Sequence, residues 1–448
     1  MSSPIQHIAI LGAGASGIGA ARLAQSRGAV PCVYDSSPPE RLKDTSEILA
    51  AEGIAFVFGD IALEEPVRPD LVVTSPGIDG NSAFTKRFTA HGAPLIGEIE
   101  YAWRCAGCPD TVGITGTNGK TTTTEITASL LNGCGIRTVA AGNYGLAYSE
   151  VVRQGAALDL VTLELSSFQL ETIVDYRPSV SVWMNFAADH MDRYTSLEEY
   201  RMAKERIFVN QKDGDTAVVN ALDRPSELPR NVITFTAYGV EADFTLSDGH
   251  IWYHREPILD YGATRLQGRH NAENVMAALG VALARGLSLT DAASVIREYA
   301  PAKHRCEWIA EIAGVQYIND SKATNLHALE SSLRGLETPV ILIAGGKDKG
   351  LDWGGATELV AQKALHVVCI GEMRGVIASA WGGAVECHLV DTLPEAVFLS
   401  ARLAEPGQTV LLAPGTSSFD MFQNYAQRGE VFREAVLSLQ QNSEAAPG

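Results

Sequence analysis

One run of nine residues, Gly113-Ile114-Thr115-Gly116-Thr117-Asn118-Gly119-Lys120-Thr121, constrains this chain more than any other. The apolar approach Asp110-Thr111-Val112-Gly113-Ile114 reads as a strand, and Thr122 to Leu131 reads as a helix. Strand, glycine turn, helix is a unit of parallel α/β sheets. The glycines let backbone N–H groups converge on phosphate oxygens, the helix N-terminus favours negative charge, and Lys120 adds a point charge. Thr121 can offer its hydroxyl to Mg2+. The reading is a nucleoside triphosphate, ATP, held by Gly116, Thr117, Asn118, Gly119, Lys120, Thr121 and Thr122, against the alternative of a bare strand–helix turn. The strict phosphate-loop pattern would place a glycine where this chain has Ile114.

The same alternation runs through the chain in three segments. In residues 1–105, His7–Leu11, Val30–Tyr34 and Asp70–Thr74 read as strands, with a helix from Ile18 to Arg27. In 106–302, Asp159–Leu165 and Val180–Asn185 read as strands and Ser196–Asn210 and Ala272–Arg285 as helices. There, the polar stretch Asp223–Pro257 reads as an excursion with short strands. In 303–448, Val340–Ala344, His366–Ile370 and Thr409–Ala413 each lead into glycine turns. The expectation is three α/β domains: a Rossmann-like one, a central phosphate-loop one with a mostly parallel sheet, and a second Rossmann-like one.

Composition sets the limits. The chain has 448 residues, 46% hydrophobic and 20% charged, ordinary globular values that set aside bulk disorder. Its formal net charge of −18 argues against nucleic acid as the main partner. It does not exclude anionic substrates, which need only local positive charge. No apolar run approaches a membrane span, and Met1–His7 has no basic or long apolar stretch, so no signal peptide is expected. Seven scattered cysteines suit a reducing compartment, hence the cytoplasm. Cys105 and Cys108 lack a second ligand pair for zinc and read as ordinary thiols.

Several other constellations carry chemistry. Gly12-x-Gly14-x-x-Gly17 follows a strand, opens a helix and is followed by Asp35 at a later strand end. This is the dinucleotide fingerprint, pointing to NAD(P), another nucleotide or a sugar nucleotide, or else to a tight turn without ligand. Glu164 sits at the tip of an apolar strand, where a carboxylate is costly unless paired or on a metal. His190, within Asn185-Phe186-Ala187-Ala188-Asp189-His190-Met191-Asp192, follows a buried strand and is either a metal ligand or structural. Lys204 reads as a helix-surface lysine. Asn271 and Asn274 sit at a helix start, one to cap and the other to face a ligand. Arg305 lies where an arginine could reach a phosphate. Asn319-Asp320-Ser321-Lys322-Ala323-Thr324-Asn325 follows a strand and reads as a ligand loop.

Together these motifs, in this order and over essentially the whole chain, resemble the Mur ligase family of peptidoglycan precursor synthesis. The segments Glu164–Leu170, Asp189–Tyr194 and Asn319–Asn325 resemble its D-glutamate-adding branch. The Gly-Thr-x-Gly-Lys-Thr core of that family also lacks the glycine missing at Ile114. The resemblance implies an ATP-dependent ligase that phosphorylates the carboxylate of UDP-N-acetylmuramoyl-L-alanine and lets the amine of D-glutamate displace phosphate. It implies two Mg2+ ions near Thr121, Glu164, His190 and Lys204, with Lys120 on the phosphates. By resemblance alone, Lys204 is carbamylated by CO2 into an anionic ligand. Asn274, Arg305 and Asp320 are implied as ATP contacts. Gly14, Ala15, Ser16, Asp35, Ser75, Pro76, Gly77, Asn143, Ser166 and Gln169 are implied on the UDP substrate, and Thr324, Lys349, Ser418 and Tyr425 on D-glutamate. The first fingerprint then holds UDP rather than NAD, and a monomer is expected. The rivals are a folylpolyglutamate synthase, which would lack the first segment, and an NAD-dependent oxidoreductase joined to an ATPase.

Overall fold

The computed structural model describes residues 7–64, 68–187, 193–266, 268–300, 303–334, 336, 338–348 and 351–444. These form two compact units, residues 1–299 and 300–448. The first unit holds two sheets and the second holds one.

The N-terminal sheet is five-stranded and parallel, ordered Ala55–Phe58, Val30–Asp35, His7–Leu11, Leu71–Thr74, Leu95–Gly97. Its strands are short apolar runs because helices cover both faces. The strand order reverses at His7–Leu11, so a crevice opens beyond that strand's carboxyl end. The glycine turn and Ser75 both lie there.

The central sheet has nine strands. From one edge they run Ala140–Gly142, Val161–Glu164, Thr111–Thr115, Val180–Trp183, Thr216–Asn220, Asn231–Thr236, Phe244–Ser247, His250–Tyr253 and Glu256–Asp260. All neighbouring pairs are parallel except the last two, which form an antiparallel meander. The stretch Asp223–Pro257 is therefore not an excursion: its strands extend the main sheet. Phe244, Ile251 and Leu259 supply the apolar face that buries against helix Arg269–Ala284 and its neighbours. The polar turns between these strands masked that period-2 signal.

Helix Lys120–Gly133 follows the strand Thr111–Thr115, as the glycine run requires. Helix Leu197–Glu205 is shorter than the reading of Ser196–Asn210, passing into a 3-10 turn at Arg206–Phe208.

The two sheets of the first unit share one apolar cluster, from Ile8 and Leu23 through Trp103 and Tyr148 to Leu163 and Trp183. Trp103 stacks edge-on to Tyr176 at 5.7 Å between ring centroids. Beside them, the fully buried Glu100 carboxylate accepts from the backbone N–H groups of Val174 (2.9 Å), Asp175 (3.1 Å) and Tyr176 (2.8 Å) and from Arg104 Nε (2.6 Å). A buried carboxylate is tolerated when donors surround it, as here.

The C-terminal sheet has six strands, ordered Glu307–Ile312, Val315–Asn319, Thr409–Leu412, Val340–Gly345, Ala364–Ile370, Glu386–Leu389. Only the first pair is antiparallel. Separate apolar clusters fill its two faces. Among the described residues no helix is long and apolar enough to cross a membrane.

Glu100→Ala removes the acceptor for three backbone N–H groups, that of Tyr176 buried, and strands Arg104, and is expected to cost the first unit about 3–5 kcal/mol. A urea titration followed by tryptophan fluorescence checks this; a loss below about 1 kcal/mol would contradict the role given to Glu100.

Candidate active site

The strand Thr111–Thr115 lies between Val161–Glu164 and Val180–Trp183, so the residues that follow these three strands meet at one edge. The glycine loop is fitted tightly there. Gly116 has φ +152°, and a Cβ on it would stand 2.7 Å from the Met184 Cβ. Gly119 has φ +81°, in the left-handed region, and a Cβ would meet the Asn274 Oδ1 at 2.5 Å. Only glycine fits either position.

The loop's path is held by Asn185. Its Oδ1 accepts from the Asn118 N–H at 2.8 Å, its Nδ2 donates to the Asn118 carbonyl at 3.1 Å, and its own carbonyl accepts from the Thr117 N–H at 3.0 Å. The Thr117 hydroxyl donates to the Ala187 carbonyl at 3.2 Å and accepts from the Ala187 N–H at 3.0 Å. Lys120 Nζ donates to the carbonyls of Gly116 and Thr117, both at 2.9 Å. Thr122 is half-buried in the first turn of the helix.

Glu164 closes its strand with 2% exposure. Its carboxylate accepts from the Thr121 hydroxyl at 2.7 Å and from Asn143 Nδ2 at 2.7 Å. The structure thus brings Thr121, Glu164 and Asn143 together as a cluster of hard oxygen and amide groups beside the loop. That donor chemistry suits Mg2+. His190 lies outside the described residues.

Lys204 is not on the surface. It is 1% exposed, donates from Nζ to the Gly116 carbonyl at 2.8 Å, and lies 4.7 Å from the centroid of the Tyr200 ring. Helix Leu197–Glu205 turns Tyr200, Ala203 and Lys204 inward, the i, i+4 face on which a helix docks. Its docking rests on ring contacts among Phe168, Phe186, Tyr194 and Tyr200. Arg193 also lies over Phe168 at 4.6 Å and pairs with Glu171.

Asn274 is buried, accepts from the Thr123 hydroxyl at 3.1 Å and donates to Asn271 Oδ1 at 3.1 Å. Asn271 does not cap: the helix begins at Arg269 after Gly268, which makes no side-chain cap. The start lies earlier than the asparagines because Gly268 supplies the turn with φ +83°.

Ser166 and Gln169 bond each other in a capping box, with Ser166 N–H to Gln169 Oε1 at 3.0 Å and Gln169 N–H to the Ser166 hydroxyl at 3.3 Å. The Gln169 Nε2 is buried with no hydrogen-bond partner among the described residues.

In the N-terminal sheet, Gly14 and Ala15 are exposed and Ser16 half-buried at the helix start. Asp35 accepts from the Ala13 N–H and the Ser37 N–H, both at 2.8 Å, and so fixes the glycine turn. Ser75 is buried against that turn, while Pro76 and Gly77 face outward beside it.

In the second unit the loops after Val315–Asn319, Thr409–Leu412 and Val340–Gly345 meet at the carboxyl edge. Lys347 N–H donates to the Ser417 carbonyl and Gly415 N–H to that of Ala323, both at 2.9 Å. Buried Asp320 accepts from Ser332 and from the Cys306 N–H, which draws Arg305 to the same loop; burial raises the Asp320 carboxyl. Thr324 is half-buried, Ser418 buried and Tyr425 partly exposed around these loops. Lys349 lies outside the described residues.

Two anchoring residues were given no role of their own by the sequence. One is Asn185, legible only as a polar residue after a buried strand. The other is Arg428, fully buried, whose guanidinium donates to the Ser321 hydroxyl (3.0 Å), the Ser321 carbonyl (2.9 Å) and the Thr416 carbonyl (3.2 Å). Burial pushes it down to about 10, still charged at neutral pH.

An N-terminal loop at a sheet switch point, a phosphate loop backed by a buried carboxylate, and a third α/β sheet with stitched loops define a nucleotide-dependent enzyme. Residues 6–97 match the N-terminal domain model of MurD-like Mur ligases, 114–282 the Mur ligase middle domain and 304–416 the Mur ligase glutamate ligase domain. The chain belongs to the Mur ligase family. Among its relatives, the UDP-N-acetylmuramoylalanine--D-glutamate ligase of Geotalea uraniireducens is 39% identical over 97% of this chain and 98% of its own. That of Syntrophotalea carbinolica is 39% identical over 98% of each. The fold is similar to those of a murein peptide ligase from Psychrobacter arcticus and the UDP-N-acetylmuramate-alanine ligase of Thermotoga maritima. The first has a TM-score of 0.52 at 15% identity, covering 99% of this chain and 100% of that one. The second has a TM-score of 0.52 at 19% identity, covering 97% and 100%.

Asn185→Ala leaves the Asn118 N–H without its acceptor and is expected to weaken binding of a nonhydrolysable ATP analogue by about 1–3 kcal/mol, roughly 5- to 150-fold. Calorimetric titration of the variant checks this, and unchanged affinity would contradict the anchoring role.

Proposed function

We propose that this chain is an ATP-dependent amide ligase that joins D-glutamate to UDP-N-acetylmuramoyl-L-alanine in the synthesis of peptidoglycan precursors. The observation that carries the reading is the phosphate loop backed by the Thr121–Glu164 pair, in a chain matched almost end to end by ligases of that name.

The chemistry follows from the substrates. A free carboxylate has no good leaving group. One oxygen of the alanyl carboxylate attacks the γ-phosphorus of ATP, the bond to ADP breaks, and an acyl phosphate results. The amine of D-glutamate adds to its carbonyl carbon, loses a proton, and phosphate departs. Little covalent work falls to the protein, whose part is positioning and charge neutralisation.

Within the Gly116–Thr122 loop, whose Thr117 and Asn118 N–H groups are held by Asn185, the remaining N–H groups and the Lys120 ammonium are assigned to the phosphates. Asn274, Arg305 and Asp320 are assigned to ATP. The oxygens of Thr121 and Glu164, 2.7 Å apart, fit one Mg2+, and His190 with a carbamylated Lys204 are assigned to a second. Bound Mg2+ would neutralise charge on the transferring phosphoryl group. Carbamylation would turn the buried Lys204 amine into an oxygen ligand beside the Gly116 carbonyl that it now touches.

The UDP moiety is assigned to Gly14, Ala15, Ser16, Asp35 and Ser75–Gly77 at the switch point of the N-terminal sheet. Asn143, Ser166 and Gln169 are assigned to the muramoyl-alanine end. There the unpartnered Gln169 Nε2 is a donor for a substrate oxygen. Thr324, Lys349, Ser418 and Tyr425 are assigned to D-glutamate. No role requires a residue from a second copy, which supports a monomer. Seven free thiols support a cytoplasmic site of action.

Phosphate release from ATP and Mg2+ is expected only when both UDP-N-acetylmuramoyl-L-alanine and D-glutamate are present; equal rates with L-glutamate or L-lysine would overturn the reading. Lys204→Ala is expected to abolish that release without recovery in bicarbonate, while the variant still unfolds cooperatively. Wild-type turnover in Lys204→Ala would reject the ligand role.

A further inference from the structure

The second unit carries a cluster that the ligase chemistry does not use. His366 stands in the strand Ala364–Ile370, directly opposite Glu386 in the parallel edge strand Glu386–Leu389. His388 follows Glu386 by two positions, so the period-2 pleat puts all three side chains on one face. Their ligand atoms lie within 4.8 Å of one another.

The separations are informative. His388 Nε2 lies 3.3 Å from His366 Nδ1, at the long end of hydrogen-bond distances. His366 Nδ1 lies 3.4 Å from one Glu386 oxygen, and His388 Nε2 lies 3.8 Å from the other. Zinc–nitrogen bonds of about 2.0–2.1 Å in a tetrahedron place neighbouring ligand atoms about 3.3–3.4 Å apart. The 3.3 and 3.4 Å separations match the edges of a ligand tetrahedron, and a turn of the Glu386 carboxylate brings one oxygen toward both imidazoles. The imidazoles are about three-quarters buried, with side-chain exposures of 24% and 22%, and the sheet register fixes their backbone. Glu386, 67% exposed, is free to rotate the remaining few tenths of an ångström and leaves an entry path.

We propose that His366, Glu386 and His388 bind one divalent transition-metal ion, zinc in the first instance, with water in the fourth position. Two imidazoles and one carboxylate select zinc, nickel or copper over Mg2+ and Ca2+, which prefer all-oxygen sites. The ion would pin the edge strand to its neighbour. Its role is structural and separate from the Mg2+ of the phosphate loop.

The test uses the full chain, untagged, stripped with chelator and kept in excess Mg2+ so that the loop site is saturated. Titration with Co2+ is expected to give one tetrahedral visible absorption band per chain, abolished by an equivalent of Zn2+. The band should vanish in a His366→Ala, His388→Ala double variant. In Glu386→Gln, whose exposed side chain leaves folding intact, affinity should fall at least tenfold. Zinc should also raise the melting temperature of the wild type but not of the variants. D-glutamate-dependent phosphate release serves as the folding control. No band at stoichiometric Co2+, an unaltered titration in the double variant, or unchanged affinity in Glu386→Gln would each overturn the proposal.

Discussion

The hydrogen bonds that Asn185 makes to the glycine loop are the constraint on which the phosphate site depends. A loop with two residues in conformations open only to glycine has no regular partner for its backbone. Asn185 supplies one by pairing with both the N–H and the carbonyl of Asn118. Because Asn185 follows the central strand Val180–Trp183 by only two residues, the loop inherits the rigidity of the sheet. Lys120 and Lys204 then point their ammonium groups at the same Gly116 carbonyl from two different helices. Positive charge gathers where the triphosphate would lie, with Glu164 as the counterweight.

The sheets repeat one arrangement. Each is largely parallel, and its loops of interest leave from carboxyl ends beside a reversal of strand order. Parallel strands send all their following loops the same way, so residues far apart in sequence arrive at one edge without special design. Thr121, Asn143 and Glu164 meet this way in the first unit, and Ala323 with Gly415 and Lys347 with Ser417 in the second. The chemistry is spread along the chain, yet each cluster needs only one sheet to assemble.

What the sequence revealed was local. The glycine loop, the fingerprint at Gly12 and the strand-tip carboxylate Glu164 are legible because their meaning lies within a few neighbouring residues. Lys204 was illegible because its burial depends on aromatic contacts reaching from Phe168 to Tyr200. Asn271 misled because the helix start was set by Gly268, not by an asparagine. The meander from Phe244 to Asp260 hid behind polar turns that look like a loop. Glu100 and Arg428 left no trace at all, since the Val174–Tyr176 backbone and Ser321 that they hold stand more than 70 and 100 residues away. Family resemblance assigned Lys204 a role, yet it could not say how the helix hides it.

Arg428 has a consequence for how such an enzyme could diversify. Its guanidinium grips two backbone carbonyls and one hydroxyl, not any larger side chain of the loops it joins. The loop paths are therefore anchored independently of most residues written on them. Neighbouring side chains can be exchanged over evolutionary time while the clamp keeps the loops in place. A pocket built on such a frame can change its taste without having to relearn its fold.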